Sequence, residues 1–208
     1  MLRKICGLTR AEDVELCLQL GFEYLGFLFH QASPRAVSPE QVTAFPKAQA
    51  DRVGVFVNQT VEEIIEIMHR ADLDLVQLHG EFSPEQCRAL GRDRVIKTFW
   101  PDRHATAADL QRAIDPYAAV CRFFLFDAGR QGGGHGTRIG NLSMLQAIAH
   151  PLPWFLAGGL SLETIPAVLE ACRPSGLDLS SGAESQPGRK DHTLLHRLSR
   201  LELSRKAN

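Results

Sequence analysis

Eight short apolar runs in the sequence each lead into polar residues or glycines. In chain order these groups are Cys6, His30, Asn58, Gln77 with His79, Lys97, Asp127, the pair Gly158 and Gly159, and Asp178 followed by Ser180, Ser181 and Gly182. A thiol and a carboxyl group can each take up or release a proton when their surroundings shift the pKa. Gathered in one place, such side chains could carry out acid–base catalysis.

Two further features suit an anionic ligand. Gly158–Gly159 and Ser181–Gly182 let the backbone approach an anion closely, so that amide N–H groups donate to it. Arg35, in the SPR segment at 33–35, carries a planar guanidinium that can meet a carboxylate through two parallel hydrogen bonds. We therefore predict a phosphate site at the glycines and serine.

The segments that must position these groups alternate between strand and helix patterns. Short runs rich in β-branched and aromatic residues predict strands at 2–6, 23–29, 52–57, 73–78, 94–99, 122–127, 153–158 and 176–181. The longer amphipathic segments between and after them predict helices. Several of these helices are expected to begin at a capping residue, namely Ser38, Thr60, Ser83 and Ser161.

Eight strand–helix units in 208 residues leave 26 residues for each unit. That length suits a strand, a loop and a three-turn helix, so we predict an α/β fold, a single (β/α)8 TIM barrel over residues 1–208. A doubly wound open sheet shows the same alternation. The barrel is favoured because the count is eight and no G-x-G-x-x-G follows the first strand.

Strand alternation predicts which side chains share a face, because residues two apart point the same way. Lys4 then points inward with Cys6 at the barrel mouth, and Asp178 shares a face with Ser180. Barrel closure makes the eighth strand the neighbour of the first. We therefore expect Lys4 and Asp178 to pair inside the barrel.

Composition excludes several classes of protein. A net charge of −1 with 44% hydrophobic residues is typical of a soluble globular domain and argues against a nucleic-acid binder. No apolar run approaches the roughly 18 residues of a membrane span, and the first ten residues lack a signal-peptide pattern. Five widely spaced cysteines without a C-x-x-C pair favour a reduced, cytoplasmic compartment and no metal site.

Each candidate residue also has an ordinary structural explanation. Cysteine is commonly a small core residue, and Asp127 before a glycine-rich run could simply form a turn. Arg35 after a proline could be a solvated loop charge, and His79 could be a hydrogen-bonded residue of the barrel rim. Residue type and spacing leave these alternatives open.

Nine segments, in order through nearly the whole chain, resemble one family. They are KICGLT at 4–9, GFLF at 26–29, SPRAVSPEQ at 33–41, VGVFVN at 53–58, VQLHG at 76–80, IKTF at 96–99, FDA with a glycine-rich run at 126–136, LAGGL at 156–160 and DLSSGAESQPGRKD at 178–191. In these segments the chain is similar to the phosphoribosylanthranilate isomerases of tryptophan biosynthesis.

The resemblance implies an Amadori rearrangement without metal or cofactor, converting the small phosphosugar N-(5-phosphoribosyl)anthranilate to 1-(2-carboxyphenylamino)-1-deoxyribulose 5-phosphate. Carried over residue by residue, it implies that Cys6 is the general base and Asp127 the general acid. It also implies that Arg35 holds the anthranilate end. His79 is expected either to contact substrate or to shape the rim, and Glu184 matches the family pattern without an assigned role.

These roles require shifted pKa values. The thiol of Cys6, with a reference pKa of about 8.5, needs nearby positive charge to ionise, and Lys4 is the nearest candidate in the sequence. Asp127, with a reference pKa of about 3.9, must instead hold its proton near neutrality. Phe123 and Leu125 share its face of the strand and are expected to surround it with apolar groups.

The chain departs from the family pattern after the glycine-rich run. Family members usually carry an aromatic residue, an acidic or amide residue and a tryptophan where this chain has Ile139, Gly140 and Asn141. The glycines at 132–136 predict a loop that is mobile in the empty protein and closes over the substrate.

Two other functions compete with the isomerase. One is a related phosphosugar synthase or epimerase, but a metal-dependent epimerase would need His and Asp ligands converging at the strand ends, where the first strand offers a thiol. The other is a barrel that binds a phosphosugar or a partner protein without catalysis, which predicts loss of Cys6 or Asp127. We expect no nucleic-acid or membrane partner, and a monomer is favoured over a homodimer.

Overall fold

The computed structural model describes residues 1–128 and 142–201. Within them, eight parallel strands pair in sequence order and close into a barrel. The strands are β1 (Leu2–Cys6), β2 (Tyr24–Leu28), β3 (Asp51–Phe56), β4 (Leu75–Leu78), β5 (Val95–Phe99), β6 (Phe123–Asp127), β7 (Trp154–Ala157) and β8 (Gly176–Leu179). The predicted TIM barrel is confirmed, and the open sheet is excluded because β8 pairs with β1.

Helices follow the strands around the outside of the barrel. They are α1 (Ala11–Gln19), α2 (Pro39–Ala44), α3 (Val61–Ala71), α4 (Pro84–Leu90), α5 (Ala107–Ile114), α6 (Leu142–Gln146), α7 (Ile165–Ala171) and α8 (His192–Ser199). Ser38, Thr60 and Ser83 form the expected capping boxes. The helix after Ser161 begins later than expected, at Ile165, but Ser161 makes cap-like hydrogen bonds before it: its N–H donates to the Thr164 Oγ1 at 2.8 Å and its Oγ accepts from the Thr164 N–H at 3.4 Å.

Two segments of the chain lie outside the described residues. The first contains the glycine-rich run at 132–136 together with Ile139, Gly140 and Asn141, so the expectation of a closing loop falls outside the described structure. The second is 202–208, the end of the segment predicted as the last helix. That one domain spans all of residues 1–208 therefore stays a prediction.

Alternation along the strands divides the core into two parts. One face of the strands fills the barrel interior with Tyr24, Val53, Leu75, Ile96, Phe123, Leu125, Phe155 and Ala157. The other face packs against the helices in a larger cluster. Phe123 and Leu125 lie in the interior cluster and alternate with the outward-packed Phe124 and Phe126 on the strand that ends at Asp127, so the predicted face of these two residues is confirmed.

The predicted ion pair inside the barrel is confirmed. Lys4 of β1 lies directly opposite Asp178 of β8 in the parallel register, and its Nζ donates to both carboxylate oxygens at 2.9 Å. The two side chains are 0% and 6% exposed. Burial lowers the pKa of Lys4, but the Asp178 carboxylate and the Cys6 thiol outweigh it, and the net pKa of Lys4 is raised.

Removing one partner of this pair should destabilise the fold. We expect Asp178→Ala to lower the free energy of unfolding by about 3–5 kcal/mol, because it leaves the buried ammonium of Lys4 without its counter-charge. Urea denaturation measures the change. A double variant, Lys4→Met with Asp178→Leu, removes both charges and should recover most of the loss; equal destabilisation in the two proteins would contradict this explanation.

A short antiparallel hairpin follows β8, which the sequence patterns did not predict. Its strands are β9 (Glu184–Gln186) and β10 (Arg189–Lys190), and Gly188 turns between them with φ +80°. Lys190 lies opposite Glu184 in the pairing. Their side chains are 0% and 2% exposed, so this hairpin buries a charged pair beside the barrel mouth.

Other expectations concern cysteines, membranes and metals. All five cysteines are buried and carry free thiols. Within 1–128 and 142–201, no helix is long and apolar enough to cross a membrane. Over the same residues, no cluster of three or more His, Cys, Asp or Glu side chains is arranged to hold a metal ion.

Candidate active site

A cavity of about 740 Å³ lies at the carboxyl ends of the barrel strands. Its lining includes all eight residues predicted for the site, namely Cys6, Arg35, His79, Asp127, Gly158, Gly159, Ser181 and Gly182. Lys97, which lies in the fifth apolar run, is not among the lining residues. Its ammonium donates instead to the backbone carbonyls of Gly80 at 3.0 Å and Thr98 at 2.9 Å. The barrel therefore brings together groups that are up to 176 positions apart in the sequence.

Cys6 ends β1 and packs against a glycine of the neighbouring strand. Cys6 and Gly26 are register partners, and a Cβ built on Gly26 would lie 2.8 Å from the Cys6 Sγ and 3.1 Å from the Lys4 Nζ. Both distances are shorter than ordinary van der Waals contact. Gly26 thus leaves the space in which the thiol and the ammonium lie side by side.

The environment of Cys6 changes one expectation. Burial raises the pKa of the Cys6 thiol, and the positive charges of Lys4 and Lys190 only partly offset it. The Asp178 carboxylate, which binds Lys4, adds to the increase. Lys4 does lower the pKa of the Cys6 thiol, as expected, but burial outweighs this effect, so the net pKa of Cys6 is raised.

His79 and Asp127 approach each other on another side of the cavity. The His79 Nε2 lies 3.7 Å from the Asp127 Oδ2, and the Gln77 Nε2 lies 3.4 Å from the His79 Nδ1. The Trp100 ring meets His79 edge to face, with centroids 5.1 Å apart, and the Arg103 guanidinium lies 3.9 Å from the centre of the Trp100 ring. Burial and nearby positive charges lower the pKa of His79 to about 4, so His79 is uncharged at neutral pH.

Two lining residues on the same side, Gln77 and Trp100, carry buried polar atoms. Gln77 is 2% exposed and Trp100 is 8% exposed. Within the described residues, the Gln77 Oε1 and the Trp100 Nε1 have no hydrogen-bond partner.

Arg35 enters the cavity from the loop after β2. Its Nε donates to the Glu184 Oε1 at 2.9 Å and its Nη2 donates to the Glu184 Oε2 at 2.6 Å. Its aliphatic stem lies over Gly7, which has φ +78°, and a Cβ at that position would be only 2.6 Å from the Arg35 Cδ. The alternative that Arg35 is only a solvated loop charge is therefore wrong, since its side chain is only 13% exposed.

The predicted phosphate residues lie on two loops that touch. Gly158 and Gly159, after β7, both adopt positive φ values, +89° and +65°, which only glycine tolerates readily. Gly182, after β8, is so close to the preceding loop that a Cβ would lie 1.9 Å from the Leu160 carbonyl oxygen. Gly158, Gly159, Ser181 and Gly182 all line the cavity.

Comparison with known sequences identifies the family. The sequence profile described as "N-(5'phosphoribosyl)anthranilate (PRA) isomerase" matches residues 3–200. The chain belongs to this isomerase family. The protein of that name from Maridesulfovibrio salexigens is 43% identical over 195 residues, which cover 94% of this chain and 95% of the relative.

Solved structures of the isomerase family share the fold. The phosphoribosyl anthranilate isomerase of Thermus thermophilus superposes with a TM-score of 0.81 at 36% identity, covering 96% of both chains. An isomerase in complex with reduced 1-(o-carboxyphenylamino)-1-deoxyribulose 5-phosphate superposes with a TM-score of 0.77 at 30% identity, covering 96% of this chain and 97% of that one. Another, 32% identical over 94% of this chain and 95% of that one, with a TM-score of 0.80, is described as monomers of the dimeric Thermotoga maritima isomerase.

Sequence reasoning missed several residues of this isomerase site. Gly26 lies within a motif, but its role depends on the cross-strand register with Cys6. Trp100 follows the fifth apolar run directly, so the rule that strand ends line the mouth could have found it. Lys190 lies in the predicted loop after β8, where no apolar run precedes it, and no local signal indicates that it is buried.

Proposed function

We propose that this isomerase converts N-(5-phosphoribosyl)anthranilate to 1-(2-carboxyphenylamino)-1-deoxyribulose 5-phosphate, as a step of tryptophan biosynthesis. The observation that carries the proposal is the shared cavity: a thiol, a carboxyl group, an arginine and two glycine-containing loops line it together. That combination matches a substrate with a sugar to be isomerised between an aromatic carboxylate and a phosphate. The isomerase solved with a reduced form of the product adds support.

The proposed chemistry uses Asp127 as the general acid and Cys6 as the general base. Asp127 protonates the ribose ring oxygen as its bond to C1 breaks, which leaves an open-chain iminium ion on the anthranilate nitrogen. Cys6 then removes the proton from C2 and gives an enolamine. The C2 hydroxyl of the enolamine loses its proton as C1 gains one, which forms the ketone, and the proton held by Cys6 returns to Asp127 through water. Product and substrate are isomers, so the steps need no oxidant or reductant.

The remaining groups would hold the two ends of the substrate. The backbone N–H groups of Gly158, Gly159, Ser181 and Gly182 are proposed to bind the phosphate, as amides in glycine-rich loops commonly do. Arg35 is proposed to bind the anthranilate carboxylate. His79 is proposed to contact the substrate beside Asp127, and it does so as a neutral imidazole because its pKa is lowered to about 4.

The proposed role of Arg35 leads to a prediction about binding. Arg35→Ala should raise KM by about 10–100-fold and change kcat much less, because a charge-assisted contact to the carboxylate is worth roughly 1.5–3 kcal/mol. Steady-state kinetics measure both constants. Arg112→Ala is a matched control, since Arg112 is exposed on α5 and forms an ion pair with Asp109. An unchanged KM in Arg35→Ala would contradict the assignment.

The overall proposal has a direct assay. Purified protein is mixed with freshly made phosphoribosylanthranilate, and the loss of substrate fluorescence is followed over time. We expect the wild-type protein to accelerate the loss well above the rate in buffer. No acceleration would refute the isomerase function and favour a barrel that only binds its ligand.

The proposal also covers the cellular location and the oligomeric state of the protein. We infer a cytoplasmic location, which agrees with five free thiols and with the substrate class. A monomer stays the favoured prediction, although the Thermotoga maritima relative is described as dimeric. Light scattering coupled to size exclusion measures the mass directly, and 23.0 kDa is expected for a single chain.

A further inference from the structure

The hairpin that follows β8 holds a charged network behind Arg35. The Glu184 carboxylate accepts hydrogen bonds from Arg35, from the Lys190 Nζ at 2.9 Å and from the Gly188 backbone N–H at 3.3 Å. Glu184 is 2% exposed at its side chain and does not belong to the cavity lining, whereas Arg35 does. Glu184 therefore contacts Arg35 from the side away from the cavity.

The contact uses one specific edge of the guanidinium. Glu184 receives the Nε–H and one N–H of Nη2, which is the side edge of the Arg35 fork. A guanidinium has five N–H bonds in one plane, so three remain, carried by Nη1 and Nη2. Those two nitrogens form the end edge of the fork, which can bind a second carboxylate bidentately.

Lys190 connects this pair to the rest of the site. Its Nζ also donates to the backbone carbonyl oxygens of Cys6 at 2.6 Å and Ser180 at 3.2 Å. Both of these residues line the cavity. The Lys190 ammonium thus fixes Glu184 relative to the ends of β1 and β8, and Glu184 fixes Arg35 in turn.

The charges of this network indicate what the open edge accepts. Arg35 and Lys190 carry two positive charges against the single negative charge of Glu184, because the pKa of Glu184 is lowered by its bonds to Arg35 and by the charge of Lys190, despite burial. The network therefore has a net charge of +1. One further carboxylate would balance it in a largely buried environment, where unbalanced charge is costly.

We propose that Glu184, anchored by Lys190, is a positioning residue that orients Arg35 so that the end edge of its guanidinium selects a monocarboxylate on the aromatic ring of the substrate. This inference rests on the proposed function, since it deepens the role given there to Arg35. It assigns a role to the hairpin β9–β10, which otherwise contributes no residue to the proposed chemistry.

A ratio of dissociation constants tests the proposal. The probes are reduced 1-(o-carboxyphenylamino)-1-deoxyribulose 5-phosphate and the same compound without the ring carboxylate, each titrated by calorimetry. The wild-type protein should bind the carboxylated probe at least about tenfold more tightly, equivalent to about 1.4 kcal/mol. Arg35→Ala should abolish the preference, and Glu184→Gln should reduce it to less than about threefold.

The ratio of the two dissociation constants separates a loss of positioning from general damage to the fold, because partial unfolding weakens the binding of both probes equally. Glu184→Gln should also raise KM far more than it lowers kcat. Glu66→Gln is the matched control, since Glu66 forms an exposed ion pair with Arg70, and its ratio should equal that of the wild type. If Glu184→Gln does not fold, Glu184→Asp keeps the charge but withdraws it by one methylene, and an intermediate ratio is expected.

The outcomes distinguish this inference from the proposed function. If Glu184→Gln shows the same ratio of dissociation constants as the wild type, the positioning role is overturned. If only Glu184→Asp folds, a wild-type ratio in that variant has the same consequence. If Arg35→Ala has at the same time lost the preference, the carboxylate assignment of Arg35 stands. No preference in the wild-type protein overturns both that assignment and the positioning role, while the isomerase assay still reports on the reaction itself.

Discussion

Replacing Cys6 with alanine is expected to lower kcat by about 10²–10⁴-fold, the usual contribution of a general base. The cavity stays intact in this variant, because Cys6 is a small side chain whose removal leaves the Lys4–Asp178 pair in place. A product analogue should therefore bind with nearly the wild-type Kd. Steady-state kinetics and a titration with the analogue measure the two quantities.

The pH dependence gives this prediction a second readout. The proposed base is the thiolate of Cys6, and burial raises the pKa of this thiol above its ordinary value. At neutral pH the thiol is therefore mostly protonated in the empty site, and kcat/KM of the wild-type protein should rise with pH as the thiol ionises. In Cys6→Ala the residual activity should lack this rise.

A second buried cysteine supplies the control for this substitution. Cys172 lies at the end of α7, outside the cavity lining, and burial raises its pKa to about 11. Cys172→Ala should keep the wild-type kcat and the wild-type pH profile. If Cys6→Ala retains kcat within about threefold of the wild type, far less than the loss of a base causes, Cys6 is a structural core residue.

Asp127→Asn is the second substitution with a large expected effect. Asparagine has nearly the same shape but no carboxyl proton to deliver to the ring oxygen, so we expect kcat to fall by about 10²–10⁴-fold. His79 does not replace it as the acid at neutral pH, because a pKa of about 4 leaves the imidazole in its uncharged form. The change is measured as kcat with phosphoribosylanthranilate.

Binding data complete the test of Asp127. The amide keeps the volume of the side chain, so the Kd of the reduced product analogue should change by less than about fivefold, or 1 kcal/mol. Asp93→Asn is a suitable control, since Asp93 is exposed between α4 and β5. Full activity in Asp127→Asn would return Asp127 to the turn-forming role that its glycine-rich neighbours also suggest.

Much of the fold could be predicted from the sequence because it depends on local periodicity. Eight apolar runs with β-branched and aromatic residues correspond to the eight barrel strands, with ends that differ by one or two residues. Phe123 and Leu125 point inward because alternate residues of a strand share a face. The pairing of Lys4 with Asp178 followed from the same rule once the first and last strands were taken as neighbours.

The location of the candidate site was also predictable, because a barrel gathers the carboxyl ends of its strands at one rim. Residues from separate strand ends, such as Cys6 and Asp127, had to meet there whatever their sequence separation. The sequence did not indicate the sign of the Cys6 pKa shift. That sign depends on the balance between burial and the charges of Lys4, Lys190 and Asp178, which is a property of the packed site.

The sequence by itself determined the barrel, the order of its strands and many of the residues at its mouth, because these depend on periodicity within short segments. Only the tertiary structure determined how those side chains are held. Arg35 and Glu184 are 149 positions apart, and Lys190 reaches the carbonyl of Cys6 across 184 positions. Contacts at such separations depend on strand register, loop path and burial together, and no local pattern of residues records them.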